Sequence, residues 1–526
     1  MNNGIDTQPQ AAHEIEAKPS FEKGHIEHED HTDLKSNVAD YKVDAIEAEN
    51  SEHSMTVMEA ARAYPMACFW AFVMSFTIIM ESYDVFLMNN FIALPAFANR
   101  FGVLNPATGT NVIVTKWQSA LQMSGQLGAL IGVFIAGPLT SRIGYRWATL
   151  LGLALMNATI FVTFFADSLP VFFVGQLLEG LPWGYLHRQR SGILQMFWAV
   201  GSIIVGAVTF VYNTRLDESA YKIPIALQWL FPTPLMILMF LAPESPWWLV
   251  RKGRHEQAAR SIERLGRKSR LNAGETVAMM RRVVELEKSI TAPNYLELFR
   301  GSDLRRTLIV CGIYAAQNLA GNLIANQAVY FFEQAGMTTN LAFALGLITS
   351  ALQMIFVMLS WILTTYFGRR PIYLWGTAFN VVMLVALGIA ASVGASKSAN
   401  FAQASFGLIA SVMFTFTAAP VSWCIIAETS AIRLRPLTTG IGRASYYIIE
   451  IPCIFLGSFM LNPTGGNLGG KCGYVWGGTA LATLITAYFC LPEMKGRSYR
   501  EIDIMFRRRI PARQFEKTVI GPEEDE

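Results

Sequence analysis

The chain has 526 residues, of which 52% are hydrophobic and only 15% charged, with a formal net charge of +3 at pH 7. A soluble domain of this length needs far more polar surface, so soluble globular enzymes and binding modules are excluded. The net charge decides nothing alone; its distribution does.

Residues 1–60 mix Glu, Asp, His and Lys with few large apolar side chains and cannot bury a core, which predicts a disordered cytoplasmic tail. The first apolar run is too long for a signal h-region and lacks a small-residue cleavage site, so it is read as a retained helix. A hydrocarbon core about 30 Å thick takes roughly 20 helical residues per crossing. Six crossings are predicted near 65–90, 117–138, 147–166, 169–186, 193–213 and 224–242, and six more near 307–330, 340–366, 371–393, 402–427, 437–460 and 473–491. Within lipid only helices and closed barrels satisfy the backbone, and runs of this length suit helices.

Arg142 and Arg146, Arg188 and Arg190, the 251–306 segment, Arg369 and Arg370, Arg433 and Arg435, and Arg507 to Arg509 all fall on one side of this arrangement. That side is expected to be cytoplasmic and to hold both termini. The opposite loops carry few basic residues, such as Arg100, Lys397 and Lys471. The six cysteines have neither zinc nor redox spacing and read as packing residues.

The pattern repeats. Gly144, Tyr145 and Arg146 follow the second crossing, and Gly368, Arg369 and Arg370 follow the eighth; the sixth ends in Pro243 and Glu244, the twelfth in Pro492 and Glu493. Two related halves around a central pathway are a common transporter plan. The predicted units are a tail (1–60), a first six-helix half (61–245), a cytoplasmic linker with short helices (246–306), a second half (307–495) and a C-terminal tail (496–526).

Several residues carry chemistry. Glu81 and Asp84, three apart on one helix face, each cost about 2.5–3.5 kcal/mol at mid-membrane. They are either a protonatable pair on the pathway or part of a structural ion pair. Gln118, Gln122 and Gln126 form one amide stripe, able to donate to and accept from a polar solute or to join helices. Gly128 and Gly132 indicate close helix packing. Gln317, Asn318 and Asn322 give the seventh crossing two amide-bearing edges. Arg443 is a buried-cation candidate that either pairs with Glu450 or contributes to coupling.

Glu81, Tyr83 and Asp84, then Gly137, Arg142, Gly144 and Arg146, then Pro243 to Pro246, Gln317, Asn318 and Gly321 occur in order. Gly368 to Arg370, Trp423, Glu428, Arg435, Pro492, Glu493, Lys495, Gly496 and Arg497 follow. Over about 60–510 this series resembles the sugar porter family of the major facilitator superfamily, and most closely its fungal maltose or α-glucoside permease branch. The resemblance implies an all-α membrane protein with twelve transmembrane helices in two six-helix halves. It implies sugar binding by Gln195, Gln317 and Asn318, against interhelix hydrogen bonding; Gln122 and Asn322 are further candidate sugar ligands, and the Trp423 indole beside Pro420 either stacks on a sugar face or is an ordinary packed tryptophan. Glu81, Asp84 and Arg443 are expected to serve proton coupling. Arg142, Arg146, Arg369, Arg370 and Arg435 are expected to form a cytoplasmic gate with Glu244, Glu428 and Glu493.

The chain departs from the family pattern at Ser141, Ala431 and Leu323, and at Ala129, where relatives tend to carry Glu. After Gly184 the chain leads directly to Tyr185, Leu186, His187, Arg188, Gln189 and Arg190. Gly144 to Pro243 spans 99 positions and Gly368 to Pro492 spans 124, so the fourth and fifth helices are expected to be shortened.

The expected function is proton-coupled uptake of maltose or another α-glucoside by alternating access, at the plasma membrane and as a monomer in the lipid bilayer. No cofactor beyond the proton gradient is expected. The alternatives are a facilitative carrier of hexose or another disaccharide and a transporter-like sugar sensor. No metal-spaced cluster, nucleotide loop or nucleophile elbow indicates an enzyme, and no basic and aromatic patch indicates nucleic acid.

Overall fold

The structure is a computed structural model that describes residues 62, 64–106, 109–186, 194–266, 273–289, 294–394, 396–431, 433–518 and 520. The expected tail over 1–60, together with Arg188 and Arg190, lies outside the described residues.

Pro65 opens α1 (Pro65–Ala93) at the first helical position, where its missing N–H has no partner to lose. A short helix, α2 (Pro95–Phe101), and a two-residue ribbon of β1 (Val103–Leu104) against β2 (Asn111–Val112) follow. Both are too short for sequence periodicity to show. The first half continues through α3 (Thr115–Ile143), α4 (Tyr145–Phe164), α5 (Leu169–Leu186), α6 (Leu194–Tyr212), α7 (Ser219–Leu227) and α8 (Pro232–Leu241). A single 3-10 turn at Gln228–Leu230, just ahead of Pro232, bends α7 into α8.

Three short helices, α9 (Pro246–Arg251), α10 (His255–Leu265) and α11 (Ala273–Ser289), connect the halves around a small core of Leu249, Val250, Ile262, Met280 and Val284. The second half holds α12 (Gly301–Gln317), α13 (Leu323–Asn326), α14 (Ala328–Gln334), α15 (Thr339–Tyr366), α16 (Arg369–Ser392), α17 (Lys397–Phe416), α18 (Ala418–Thr429), α19 (Arg435–Leu461) and α20 (Cys472–Cys490). A last helix, α21 (Tyr499–Arg507), tucks Ile502, Met505 and Phe506 into the second-half core.

Two breaks shape the centre. Between α12 and α13 the helix widens over Asn318–Asn322, where Gly321 sits at φ +87°, a conformation L side chains rarely adopt. α17 stops at Thr417 (φ −114°, ψ −77°), because Pro420 can neither donate to that turn nor clear its carbonyl.

Among the described residues, nine helices are long and apolar enough to cross a membrane by length and composition. The other expected crossings are helical too, in α5, in the interrupted 301–334 segment and in α20. Large apolar side chains such as Phe134, Ile237, Ile362, Trp375 and Val382 face outward, while Glu81, Asp84, Gln118, Glu179 and Asn318 are buried. This inversion of the soluble pattern is what a lipid surround selects.

Within the first half α1 packs on α6, α3 on α5 and α4 on α8; within the second α12 packs on α19, α15 on α17 and α16 on α20. The halves meet along two seams, α3 with α19 and α6 with α15. The described parts of α5 and α6 run for 18 and 19 residues, and 187–193 between them lie outside the described residues. Their second-half counterparts are the 33-residue span Lys397–Thr429 and the 27-residue α19.

The closest helix crossing is α3 on α5. A Cβ on Gly128 would collide with the Leu177 carbonyl oxygen and lie 3.0 Å from the Gly180 Cα, and a Cβ on Gly180 would meet the Gly125 backbone. Backbone cannot yield as a flexible side chain does, so Gly128→Val is expected to destabilise the first half by about 3 kcal/mol. Thermal unfolding of the detergent-purified protein measures this, with Gly312→Ala, whose Cβ meets nothing within 4 Å, as control.

Candidate functional site

The seams converge on a cleft lined by Asn89, Gln122, Gln126, Gln176, Trp183, Asn326, Gln327 and Glu450, with Val85, Met88, Leu121 and Ile454 as its apolar wall. Both halves contribute. Gln122 accepts hydrogen bonds at Oε1 from Ser458 Oγ (2.7 Å) and Gln327 Nε2 (2.9 Å), while its own Nε2 has no partner. Beyond it, toward the end of the bundle away from the basic connections, the halves are sealed. Asn462 Nδ2 donates to the Ile113 carbonyl (2.8 Å) and to Gln118 Oε1, and Thr464 Oγ1 meets Thr115 Oγ1 at 2.7 Å and accepts from its N–H at 3.0 Å. On the other seam Asn213 Nδ2 donates to Asn340 Oδ1 at 3.3 Å. The described hydrogen bonds that join the halves all lie from Gln122 toward that end, so the bundle is closed at the end away from the basic connections.

Below the cleft lies a buried polar cluster. Gln228, from the bend after α7, donates to Asp84 Oδ1 at 2.6 Å, and Gln176 Nε2 donates to Glu179 Oε2 at 2.7 Å and to Asp84 Oδ1 at 3.4 Å. Thr163 Oγ1 donates to Glu179 Oε1 at 2.6 Å. Asp84, Glu179, Gln176, Gln228 and Thr163 are each buried. Asp84 thus faces into the first half. Glu81, one turn earlier, lies within electrostatic reach of Arg443 on α19. That guanidinium sits 4.5 Å from the Tyr446 ring and 4.8 Å from the Tyr447 ring, and donates to Tyr447 Oη at 3.2 Å. Tyr446 Oη in turn donates to Glu450 Oε1 at 3.1 Å, and the Arg443 charge acts on that carboxylate. Glu81 and Asp84 therefore share a helix face in sequence but serve separate polar groups.

The other expected sugar ligands are dispersed. Gln317 and Asn318 end α12 at its break; Asn318 Nδ2 donates to the Tyr446 carbonyl at 3.4 Å, and Gln317 Nε2 and Asn318 Oδ1 are buried without partners. Gln195 keeps a buried Oε1 without a partner. Trp423 packs edge-on against Tyr314 at 5.8 Å. The side chain of Asn322 lies outside the described residues.

The Gly-Arg and Pro-Glu motifs of the basic connections hold partners inside their own halves. Glu244 accepts from the backbone N–H groups of Tyr145 (2.9 Å) and Arg146 (3.1 Å) at the start of α4. Glu493 accepts from those of Arg369 and Arg370 (both 3.0 Å) at the start of α16. Each Pro-Glu carboxylate is thus an anion at a helix N-terminus, and the two-fold repeat reappears as a two-fold structural device. The glycine is required, because a Cβ on Gly144 (φ +92°) would stand 2.9 Å from the Glu244 carboxyl carbon. Arg369 pairs with Glu428 at 3.0 Å, Arg370 Nη2 donates to the Tyr488 carbonyl at 2.9 Å, and Arg146 donates to the Phe240 carbonyl. Arg435 lies 4.8 Å from the Tyr499 ring, and Arg142 is exposed at the end of α3. In this conformation the contacts of these residues lie within each half, and the carboxylates and the helix starts that they cap belong to the same repeat.

Sequence reasoning missed Gln176, Glu179, Gln228, Asn326 and Gln327. Glu179 had a legible signal, an acid in the middle of the apolar run 169–186, the same cost that singles out Asp84.

Membrane-crossing helices in two related halves, closed at one end around buried polar groups, define a polytopic membrane transporter. The family described as "Sugar (and other) transporter" matches residues 70–506. The maltose permease MAL61 of Saccharomyces cerevisiae is 32% identical over 99% of this chain and 91% of its own length. A general alpha-glucoside permease of the same yeast is 34% identical over 91% of this chain and 81% of its own. The inward-open xylose transporter XylE of E. coli superposes with a TM-score of 0.66 at 15% identity, covering 84% of this chain and 99% of XylE. The chain belongs to the sugar transporter family and has the fold of the major facilitator superfamily. It is a multi-pass membrane carrier and not an enzyme.

Proposed function

We propose that this carrier takes up maltose or a related α-glucoside together with a proton, by alternating access of the central cleft. The observation that carries the reading is a set of buried amide atoms without partners, Gln122 Nε2, Gln317 Nε2, Asn318 Oδ1 and Gln327 Oε1, contributed by both halves above buried carboxylates. A polyol both donates and accepts, so its hydroxyls suit such a set, whereas burying unmatched amides costs about 1–3 kcal/mol each. The names of the yeast relatives supply the sugar class.

The chain crosses the plasma membrane twelve times with both termini in the cytoplasm, and it acts as a monomer. With that orientation, the seal at the end away from the basic connections supports a conformation whose cleft faces the cytoplasm. A membrane potential of about 100 mV supplies roughly 2.3 kcal/mol per inward proton, enough for about fifty-fold accumulation at one proton per sugar. A facilitative carrier is the second reading, favoured by Ala129, a fully buried alanine on α3 where the family tends to place an acid.

Uptake of labelled maltose in a yeast strain lacking its own α-glucoside carriers, at acidic and neutral external pH, decides between them. Acid-stimulated, uncoupler-sensitive accumulation is the expected result. Equilibration without accumulation supports the facilitative reading, and no uptake by protein shown to be at the surface overturns both.

A further inference from the structure

We propose that Asp84 and Glu179 form a single proton-holding dyad, one proton shared between the two carboxyls, and that Glu179 sets how tightly the transported proton is held. This rests on the symport reading above.

The pair has four carboxyl oxygens. Three have donors: Asp84 Oδ1 takes Gln228 and Gln176, Glu179 Oε1 takes Thr163, and Glu179 Oε2 takes Gln176. The fourth, Asp84 Oδ2, has none, although Asp84 is only 1% exposed. All the donors are neutral amides or a hydroxyl. The two carboxyls are close enough to bond directly as soon as one carries a proton, and that proton supplies the missing donor. Two ionised carboxylates at such range, buried to 1% and 0% exposure, repel strongly, so one proton belongs to the pair and not to either member.

Few other charges compete. On α1 the facing titratable groups are Glu81 and Tyr83, the latter donating to the Pro224 carbonyl at 2.9 Å. From α19, Arg443 and Glu450 act on Glu81. On α14, Tyr330 and Glu333 stand toward the outer end, and α4, α6 and α8 carry no charged residue in their middle turns. The step is a simple proton transfer. An O–H bond of an outer hydronium breaks, leaving water, as one forms on a dyad carboxylate oxygen; on release that bond breaks with its electron pair left on the carboxylate and an inner water takes the proton, so the dyad alternates between charges of −1 and −2.

The test uses the full-length protein, purified and reconstituted, with labelled maltose. Counterflow exchange needs no net proton movement, so Glu179→Gln is expected to retain it within about threefold of the unaltered carrier. Its proton-driven uptake should require a lower external pH, with the profile displaced by about one unit or more, because removing the second negative charge loosens the proton on Asp84. Glu179→Asp should keep a profile close to the original. An unchanged profile in an exchange-competent Glu179→Gln protein overturns the dyad.

Infrared titration of the carboxylic C=O stretch in the unaltered protein, Asp84→Asn and Glu179→Gln reads the pair without any sugar. The expected result is one titrating band, displaced or lost in each variant. Identical titrations in the unaltered and Glu179→Gln proteins reject the dyad even if symport is sound. An altered titration alongside sugar uptake that ignores pH rejects the symport reading and leaves the dyad standing.

Discussion

Arg443→Leu is expected to abolish uptake and to lower stability by about 3–5 kcal/mol, the cost of leaving a buried charge without its counter-charge. Glu450 is 2% exposed and Glu81 4% exposed, and Arg443 acts electrostatically on Glu450 within α19 and on Glu81 across the interface between the halves. The rings of Tyr446 and Tyr447 shield this group from lipid, so solvent screening is weak. Glu450→Gln added to Arg443→Leu removes the carboxylate on α19 and should restore part of the stability without restoring transport. Thermal unfolding in detergent and labelled-sugar uptake separate the two effects. If the double variant is no more stable than Arg443→Leu, Glu450 is not its principal partner.

Asn462→Ala is expected to move the carrier toward the outward-facing state by about 3 kcal/mol, a shift of roughly a hundredfold in the ratio of the two states. The side chain bonds the Ile113 carbonyl and Gln118 on α3, and its Oδ1 accepts from Thr464 N (2.8 Å) and Oγ1 (2.7 Å), which orients Thr464 toward Thr115. With net values of about 1 kcal/mol per bond, losing these contacts opens the outer seal while leaving each half intact. A cysteine placed at Gln122 reports the change as faster labelling by a membrane-impermeant thiol reagent added outside. Labelling at the original rate would mean that the seal is held elsewhere.

Much of this architecture was legible in the amino-acid sequence. α1 begins at Pro65 as expected, and the Gly-Arg turns and Pro-Glu ends recur as one capping device in both halves. What was not legible follows from the geometry of contact. Glu81 and Asp84 read as one pair because helical spacing places them together, yet neighbours turn one toward α19 and the other toward α5. Trp423 packs on Tyr314, and Glu244 and Glu493 cap helices of their own repeat, contacts that the motifs alone did not reveal.

Membrane crossing and repetition are local properties, set by hydropathy over a run of about 20 residues and by short motifs that recur, so they are written in the chain itself. The polar cluster is of another kind. Asp84 meets Gln176 across 92 positions and Gln228 across 144, and Gln122 meets Ser458 across 336. Such meetings depend on how whole helices cross, which side chains at glycine seams and proline bends set together. Only the folded bundle shows which buried carboxyls face one another and which end of the pathway is closed.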